Sequence, residues 1–305
     1  MPSQPNTLAL NDVDLPPIYH AADTSSLAAQ SHFLTAVSFR LWAIVAAGAF
    51  GLATWKCGAA PTDWAGVGAA ICFFAAVIVE IYLLRDRPER TWYEGRAAAE
   101  SVKTLSWRYS VGGEPFSLGT HPAIETEKLF LKQLISVMDV LRELNISPPS
   151  SAGSQISEPM RRLRSASLEE RKRAYETNRV AEQQQWYQRK ANWNAKRARF
   201  WSLMMLVTEF FGVAAAVFKA IGSLEGDLLI FAGVIVTAIT AWLQTKQHRT
   251  LATAYAITTI ELASVRTKIE WQTNENDWAR FVNDAEEAFS REHTLWKASR
   301  GVESI

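Results

Sequence analysis

The stretch FWSLMMLVTEFFGVAAAVFKAIGSLEGDLLIFAGVIVTAITAWL, residues 200–243, decides the fold. It contains two apolar runs, residues 200–221 and 228–243, which a polar turn separates. Glu209 is the charged residue deep inside the first run. Because a helix of about 20 apolar residues crosses a hydrocarbon core of ~30 Å, the stretch predicts two membrane-spanning helices that form a hairpin.

A second hairpin is predicted nearer the N-terminus. Residues 41–55 carry no charge, and Lys56 can reach toward the headgroups at the end of this run. A further apolar run covers residues 64–84, with Glu80 close to its end. Tryptophans stand at the ends of the runs, as is typical of a membrane interface: Trp42, Trp55, Trp64, Trp201 and Trp242.

These patterns predict the fold class. We expect an all-α integral membrane protein with two tandem two-helix transmembrane hairpins and long cytoplasmic helices. The alternative is a soluble bundle with unusually apolar helices, because two of the uncharged runs are only about 16 residues long.

The two hairpins resemble each other in sequence at a constant offset of 159 residues. This spacing indicates one two-span module used twice in the same orientation. Many secondary transporters contain inverted repeats instead, which disfavours a transporter. The matching pairs are Arg40 and Arg199, Trp42 and Trp201, Val77 and Val236, Leu84 and Leu243, Arg90 and Arg249, and Thr91 and Thr250.

Composition argues against several classes of function. The chain of 305 residues has 32 basic and 31 acidic side chains, so we expect no nucleic-acid partner. Cys57 and Cys72 lie in apolar surroundings and do not have the spacing of a zinc site or a disulfide framework. Since the sequence contains no phosphate-binding loop, nucleophile elbow or His pair at metal spacing, we expect no cofactor, no metal and no enzymatic activity.

The distribution of basic residues predicts the orientation in the membrane. Residues 85–199 carry 21 basic and 14 acidic groups, a net +7, whereas both hairpin loops lack Lys and Arg. Basic segments near spans stay cytoplasmic, so this segment and both termini are predicted to be cytoplasmic. Lys56 and Lys219 lie at the outer ends and oppose this assignment. About 38 polar residues without Lys or Arg precede the first span, which argues against a cleaved signal peptide.

The domain boundaries follow from composition. We expect a polar N-terminal tail at residues 1–30, a first two-span module at 31–146, a Ser/Pro linker at 147–159 and a second module at 160–305.

Several helices are predicted outside the membrane. A capping box at residues 86–89 begins a helix that should stop at Gly112-Gly113. Residues 125–145 carry an apolar stripe, and residues 251–296 carry an aromatic one. We expect oligomers of this chain, because both stripes need partners. Residues 163–200 contain few apolar positions and are predicted to form a charged stalk that leads into the third span.

The two carboxylates within the spans are the candidate intramembrane residues. Glu209 lies near the bilayer centre, where burial costs about 2.5 to 3.5 kcal/mol. One interpretation is a protonated or hydroxyl-bonded glutamic acid that holds helices together, with Thr208, Thr237 or Thr240 as its hydrogen-bond partner. The other is a ring of carboxylates that lines a water path in an oligomer. Glu80 is expected to pair with Arg85 or Arg87.

Two motifs in the cytoplasmic helices carry a family resemblance. Residues 92–109 read WYEGRAAAESVKTLSWRY, and the second half has Trp186-Tyr187 with Glu292 and Trp296 at its end. They resemble two subfamilies of the SLATT proteins, the SMODS- and SLOG-associating two-transmembrane effectors. The resemblance gives these positions as family-motif residues: Trp92, Tyr93, Arg96, Glu100, Lys103, Trp107, Trp186, Tyr187, Lys190, Asn194, Glu292 and Trp296. Because Arg96 and Glu100 share a helix face, that face is either solvated or joins the two modules.

The resemblance implies an effector of a bacterial conflict or antiviral defence system in the inner membrane. Such a protein would oligomerise in the lipid bilayer and permeabilise it when a nucleotide-sensing or nucleotide-producing partner protein signals. This chain departs from the simplest pattern, because it carries two modules and no recognisable nucleotide-binding domain. The alternative function is a non-conducting membrane scaffold that binds a soluble cytoplasmic partner.

The predicted orientation can be tested with single cysteines in a Cys57→Ser/Cys72→Ser background. Thr62→Cys and Ser223→Cys should react with an impermeant maleimide added outside the cell, because both lie in hairpin loops. Ser154→Cys should be protected until the membrane is opened. The reverse labelling pattern would contradict the topology.

Overall fold

A computed structural model describes residues 8–56, 62–142, 153–223 and 227–299. Most of the described residues are helical, and none of them forms part of a named β-strand. This confirms the predicted all-α fold class. The helices are α1 (Pro17–Phe50), α2 (Trp64–Asp86), α3 (Pro88–Val111), α4 (Ala123–Arg142), α5 (Glu158–Arg164), α6 (Leu168–Tyr175), α7 (Glu182–Ala220), α8 (Leu228–Lys246), α9 (His248–Ile269) and α10 (Glu275–Ser299).

The chain divides into two compact units that do not follow the two sequence modules. The membrane unit contains residues 31–88 and 190–253, and the helical unit contains residues 1–30, 89–189 and 254–305. Each unit therefore takes segments from both halves of the sequence.

The membrane unit contains the predicted spans. Within the described residues, four helical segments are long and apolar enough to cross a membrane. Helices α2 and α8 begin at the predicted residues, and the third span ends at Ala220. The chain is thus a multi-pass membrane protein, and the alternative of a soluble bundle falls away.

The end of the first span was placed too far along the chain. Helix α1 ends at Phe50, whereas the apolar run predicted a helix to Trp55. The reason is local hydrogen bonding: the Trp55 N–H donates to Asp63 Oδ1 (2.8 Å), and the Trp64 N–H donates to the Trp55 carbonyl (2.8 Å). Asp63 also caps α2 by accepting from the Ala65 N–H (3.0 Å). The last apolar residues of the run therefore belong to the hairpin turn.

Small residues mark close contacts among the helices of the membrane unit. A Cβ atom on Gly68 would lie 3.0 Å from the Phe50 ring, and one on Gly212 would lie 3.4 Å from Ala232 Cβ. A Cβ atom on Gly48 would lie 3.4 Å from Val234, so α1 packs on α8 as well as on α2. These contacts join the first hairpin to the second.

Each hairpin ends with the same change of backbone conformation between two helices. One residue with positive φ separates α2 from α3 and α8 from α9: Arg87 (φ 42°) and Gln247 (φ 49°). Their separation of 160 residues is close to the sequence offset, so the repeat is structural as well. The new helix predicted after residue 86 begins at Pro88, and it ends at Val111, before Gly112 (φ 78°).

The N-terminal segment is part of the helical unit's core. Residues 1–30 were expected to be a polar tail, but α1 begins at Pro17. The buried apolar residues of the segment are Leu10, Leu15, Ile18, Tyr19 and Ala22.

The segment predicted as a charged stalk is helical, and part of it is buried in the chain. After Ser167, which caps α6, the chain continues as one helical segment to Ala220, with a π-helical turn at Glu176–Ala181. The prediction of a helix that leads into the third span is met, but it did not foresee that several of its polar residues are buried and hydrogen-bonded. They include Arg171, Tyr175, Arg179 and Tyr187.

The two amphipathic stripes have different surroundings. On α4, Phe130 and Leu134 are buried in the helical unit, but Leu131 and Ile135 are exposed. The aromatic stripe of the C-terminal segment packs largely within the chain, with Trp278, Val282 and Phe289 in the same core. The described part of α10 therefore needs no second chain to cover it, whereas one face of α4 stays uncovered.

The positive φ angles at the two helix breaks predict a gain in stability from glycine. A non-glycine residue in the left-handed region costs about 1 to 2 kcal/mol. Gln247→Gly should therefore raise the unfolding temperature of the detergent-solubilised protein, and Arg87→Gly should do the same. Gln247→Ala is the matched control and should give no increase. Equal shifts for Gly and Ala would show that the backbone conformation is not the cause.

Candidate functional site

A buried carboxylate lies at the centre of the helical unit. Glu286 on α10 is fully buried, and its two oxygens accept hydrogen bonds from three side chains. Oε1 accepts from Tyr175 Oη (2.9 Å) and from Arg179 Nε (2.9 Å). Oε2 accepts from Thr104 Oγ1 (2.9 Å) and from Arg179 Nη2 (2.6 Å). We call these four residues the buried polar cluster.

The cluster compensates the cost of burying two charges. Burial alone lowers the pKa of Arg179, but the charge and hydrogen bonds of Glu286 raise that pKa above its usual range. Burial, followed by the charge of Glu286, raises the pKa of Tyr175 well above 10.0. The arginine therefore stays cationic and the tyrosine stays a neutral donor. The Arg179 guanidinium also lies 4.9 Å from the centre of the Phe289 ring.

The cluster joins parts of the chain that are far apart in sequence. Thr104 comes from α3, Tyr175 ends α6, Arg179 lies in the π-helical turn, and Glu286 belongs to α10. Single π-helical turns often occur at functional positions in helices. Here the turn carries the arginine that neutralises Glu286, so the cluster ties both sequence modules into one core.

A second set of polar contacts provides hydrogen-bond donors to the C-terminal end of α3. The last carbonyl of this helix, at Val111, accepts from Arg171 Nη1 (2.7 Å) and from Trp278 Nε1 (2.8 Å). The buried Arg171 also pairs with Glu275. Carbonyls at a helix end need partners, and side chains from two other helices supply them here.

The motif face of α3 contacts the N-terminal part of α1. Arg96 pairs with Asp23 (3.1 Å) and with Glu100 (2.6 Å), which is buried. Lys103 pairs with Asp12 (2.6 Å). This face is largely withdrawn from solvent: its ion pairs hold α3 against the N-terminal part of α1, and the charges of Arg96 and Glu100 also act on Tyr187 and Arg179 of the second module. The aromatic motif residues Trp92, Tyr93 and Trp107 are buried.

The second motif is divided between the two units. In the helical unit, the rings of Trp186 and Tyr187 pack on Tyr255, with centroid distances of 5.6 and 5.5 Å. In the membrane unit, Asn194 Oδ1 lies 2.7 Å from His248 Nδ1, and both residues are buried. Lys190 Nζ lies 6.0 Å from the centre of the Trp193 ring. Glu292 and Trp296 lie on α10, but their side chains are outside the described part.

Glu80 has a different partner from the predicted one. It pairs with Arg40 on α1 and not with Arg85 or Arg87. The hairpin is antiparallel, so the start of the first span lies beside the end of the second. The sequence identified Arg40 only as a position of the repeat. Its pairing with Glu80 could not be predicted from local spacing, because the two residues lie 40 positions apart.

Glu209 is exposed on α7 and has no hydrogen bond or ion pair with any described residue. The three candidate threonines bond to carbonyls of their own helices: Thr208 to Met204, Thr237 to Gly233 and Thr240 to Val236, each at 2.8 Å. Within one chain, then, none of these threonines bonds to the carboxylate.

The contacts described at these sites are hydrogen bonds, ion pairs and ring contacts within the chain. Among the described residues, no group of His, Cys, Asp and Glu side chains could hold a metal ion. Nothing in the sequence spacing of Arg179 and Glu286 indicated that these two residues pair.

Together the spans, the two hairpins and the buried helical unit define a class: a multi-pass α-helical membrane protein built from two hairpin modules. Residues 16–172, just over half of the chain, match the SMODS and SLOG-associating 2TM effector domain 3. Residues 175–296 match domain 1 of the same series. The chain belongs to the SLATT family and contains two fused domains of different subfamilies. Comparison with curated proteins and with solved structures found no significant match.

Removing one side of the buried ion pair should be strongly destabilising. Glu286→Ala leaves the Arg179 charge buried without its partner, which costs about 3 to 5 kcal/mol. The double variant Arg179→Met/Glu286→Leu removes both charges and should recover most of that loss. The measurement is the unfolding temperature of the purified protein in detergent. A double variant no more stable than Glu286→Ala would contradict this account of the cluster.

Proposed function

We propose that this protein is an inner-membrane effector of a bacterial conflict or antiviral defence system that oligomerises and permeabilises the membrane. Membership of a family of two-transmembrane effector domains, present here as two fused copies, carries the proposal. In this proposal both termini and the helical unit are cytoplasmic, as the basic residues of the middle segment predict.

The surface of the membrane unit supports a role within the bilayer. Large apolar side chains are exposed on its helices, where a lipid environment would cover them. They include Phe73, Phe74, Val77, Ile78, Phe210, Val213 and Ile230. Four spans in one chain enclose at best a narrow path, so permeabilisation requires several copies. The activating partner is proposed to be a protein that senses or produces a nucleotide signal.

A second candidate function is a non-conducting scaffold that binds a soluble partner. The exposed apolar face of α4 favours it, because Ile124, Leu131 and Ile135 are uncovered in the single chain. Such a face suits a helical partner protein. The two functions differ in whether the membrane keeps its potential when the protein is produced.

Inducible expression in a bacterium with a membrane-potential dye tests the proposal. The wild-type protein should depolarise the cells and stop growth. A membrane potential that stays unchanged, with the protein inserted at a comparable level, would favour the scaffold.

Charge reversal at Arg96 gives a sharper version of the same experiment. Arg96→Glu places a third carboxylate beside Asp23 and Glu100, so it should separate α3 from α1 and abolish depolarisation while the spans still insert. Arg280→Glu is the matched control, because Arg280 is exposed and pairs only with the nearby Asp277 among the described residues. Depolarisation by Arg96→Glu at the wild-type level would show that this contact is not needed.

A further inference from the structure

We infer that copies of this chain meet at one face of α7 and that Glu209 on this face lines a cation-selective water path. The face, called the Glu209 face below, consists of Ser202, Leu206, Glu209 and Val213. Their spacing of three and four residues places them on one side of the helix, and all four are exposed in the single chain.

The depth of Glu209 makes lipid an unsuitable environment for this face. The residue lies in the middle of the third span, which runs from Phe200 to the end of α7. An ionised carboxylate at the centre of a bilayer costs about 2.5 to 3.5 kcal/mol, and intramembrane acids face a protein interior or water. Since no described residue of the same chain bonds to Glu209, the compensation has to come from outside this chain.

A second copy offers no cation to neutralise Glu209 at this depth. Among the described spans, Arg85, Lys219 and Lys246 lie in the last turns of their helices, whereas Arg40 lies ten residues before the end of α1. Of these, Lys219 is already paired with Asp227 (2.6 Å) and Arg40 with Glu80. The described spans of a second copy therefore hold no unpaired cation at the depth of Glu209. Water can hydrate the carboxylate at this depth, and only helices from several chains can enclose such water.

Symmetry then arranges the carboxylates in a ring. Copies inserted with the same topology are related by an axis along the membrane normal, so every Glu209 lies at the same depth. A ring of acidic side chains selects cations over anions. Leu206 and Val213 lie one turn to either side of Glu209 and would form apolar rings, a type of constriction that closes by losing water. The ligand class is thus small inorganic cations.

The conducting part of this inference rests on the proposed permeabilising function, whereas the contact between copies does not. The contact is tested by oxidative crosslinking of the full chain in membranes, in the Cys57→Ser/Cys72→Ser background. Leu206→Cys and Val213→Cys, each with one cysteine per chain, should give disulfide-linked dimers at twice the chain mass. Phe74→Cys is the matched control, because Phe74 is exposed on α2 within a span but lies outside the Glu209 face.

Two crosslinking results would overturn the contact. One is the absence of linked species for both face variants. The other is linkage only to a protein of different mass, which would assign the face to another partner.

The water path is tested by recordings from planar bilayers containing the purified chain in a potassium chloride gradient. The wild type should prefer potassium over chloride, and Glu209→Gln should bring the permeability ratio toward unity, because Gln keeps the shape and removes the charge. Glu261→Gln, on the exposed surface of α9 in the helical unit, is the charge control and should leave the ratio unchanged.

The outcomes separate this inference from the proposed function. Equal selectivity of wild type and Glu209→Gln overturns the pore-lining role while permeabilisation stands. A wild type that crosslinks at the face but passes no current supports the contact and overturns both the water path and permeabilisation.

Discussion

The ion pair between Arg179 and Glu286 is the constraint on which the helical unit depends. Both side chains are buried, and each would be costly without the other. Glu286 reaches full hydrogen bonding only when Thr104 and Tyr175 also point at it. Three separate segments must therefore come together in one register. We expect this buried ion pair to contribute more to the choice of a single arrangement than to net stability.

The consequence is a core that belongs to both halves of the chain. The π-helical turn that holds Arg179 precedes the third span, and Thr104 lies after the second. Arg171 and Trp278 add to this by binding the last carbonyl of α3. The two SLATT domains thus share one helical unit, and a half chain would leave Glu286 or its partners unpaired.

Much of the fold could be predicted because its signals are local. Apolar length located the spans, and the sequence before Pro88 and at Gly112 located the ends of α3. The end of α1 and the buried polar residues of the stalk segment could not be predicted, because they depend on contacts between distant residues. Asp63 terminates the first run through hydrogen bonds across the hairpin, and Arg179 is buried because Glu286, more than 100 residues away, binds it. A hydropathy pattern assigns Asp63 and Arg179 to the surface, because it contains no information about their hydrogen-bond partners.

The two carboxylates in the spans, Glu80 and Glu209, show the same limit of prediction from local sequence. Glu80 is compensated by Arg40 inside one hairpin, whereas Glu209 is compensated by nothing in the described chain. This charge, left uncovered at mid-membrane, is the observation on which the proposed contact between copies rests. The account therefore links the composition of the third span to the proposed permeabilisation.

The most direct test of this account is potassium release from liposomes that contain the purified full-length protein. The account predicts protein-dependent release whose rate rises more steeply than in proportion to the protein-to-lipid ratio, because several chains form each path. Proteoliposomes that hold potassium as tightly as protein-free liposomes at every ratio would contradict it.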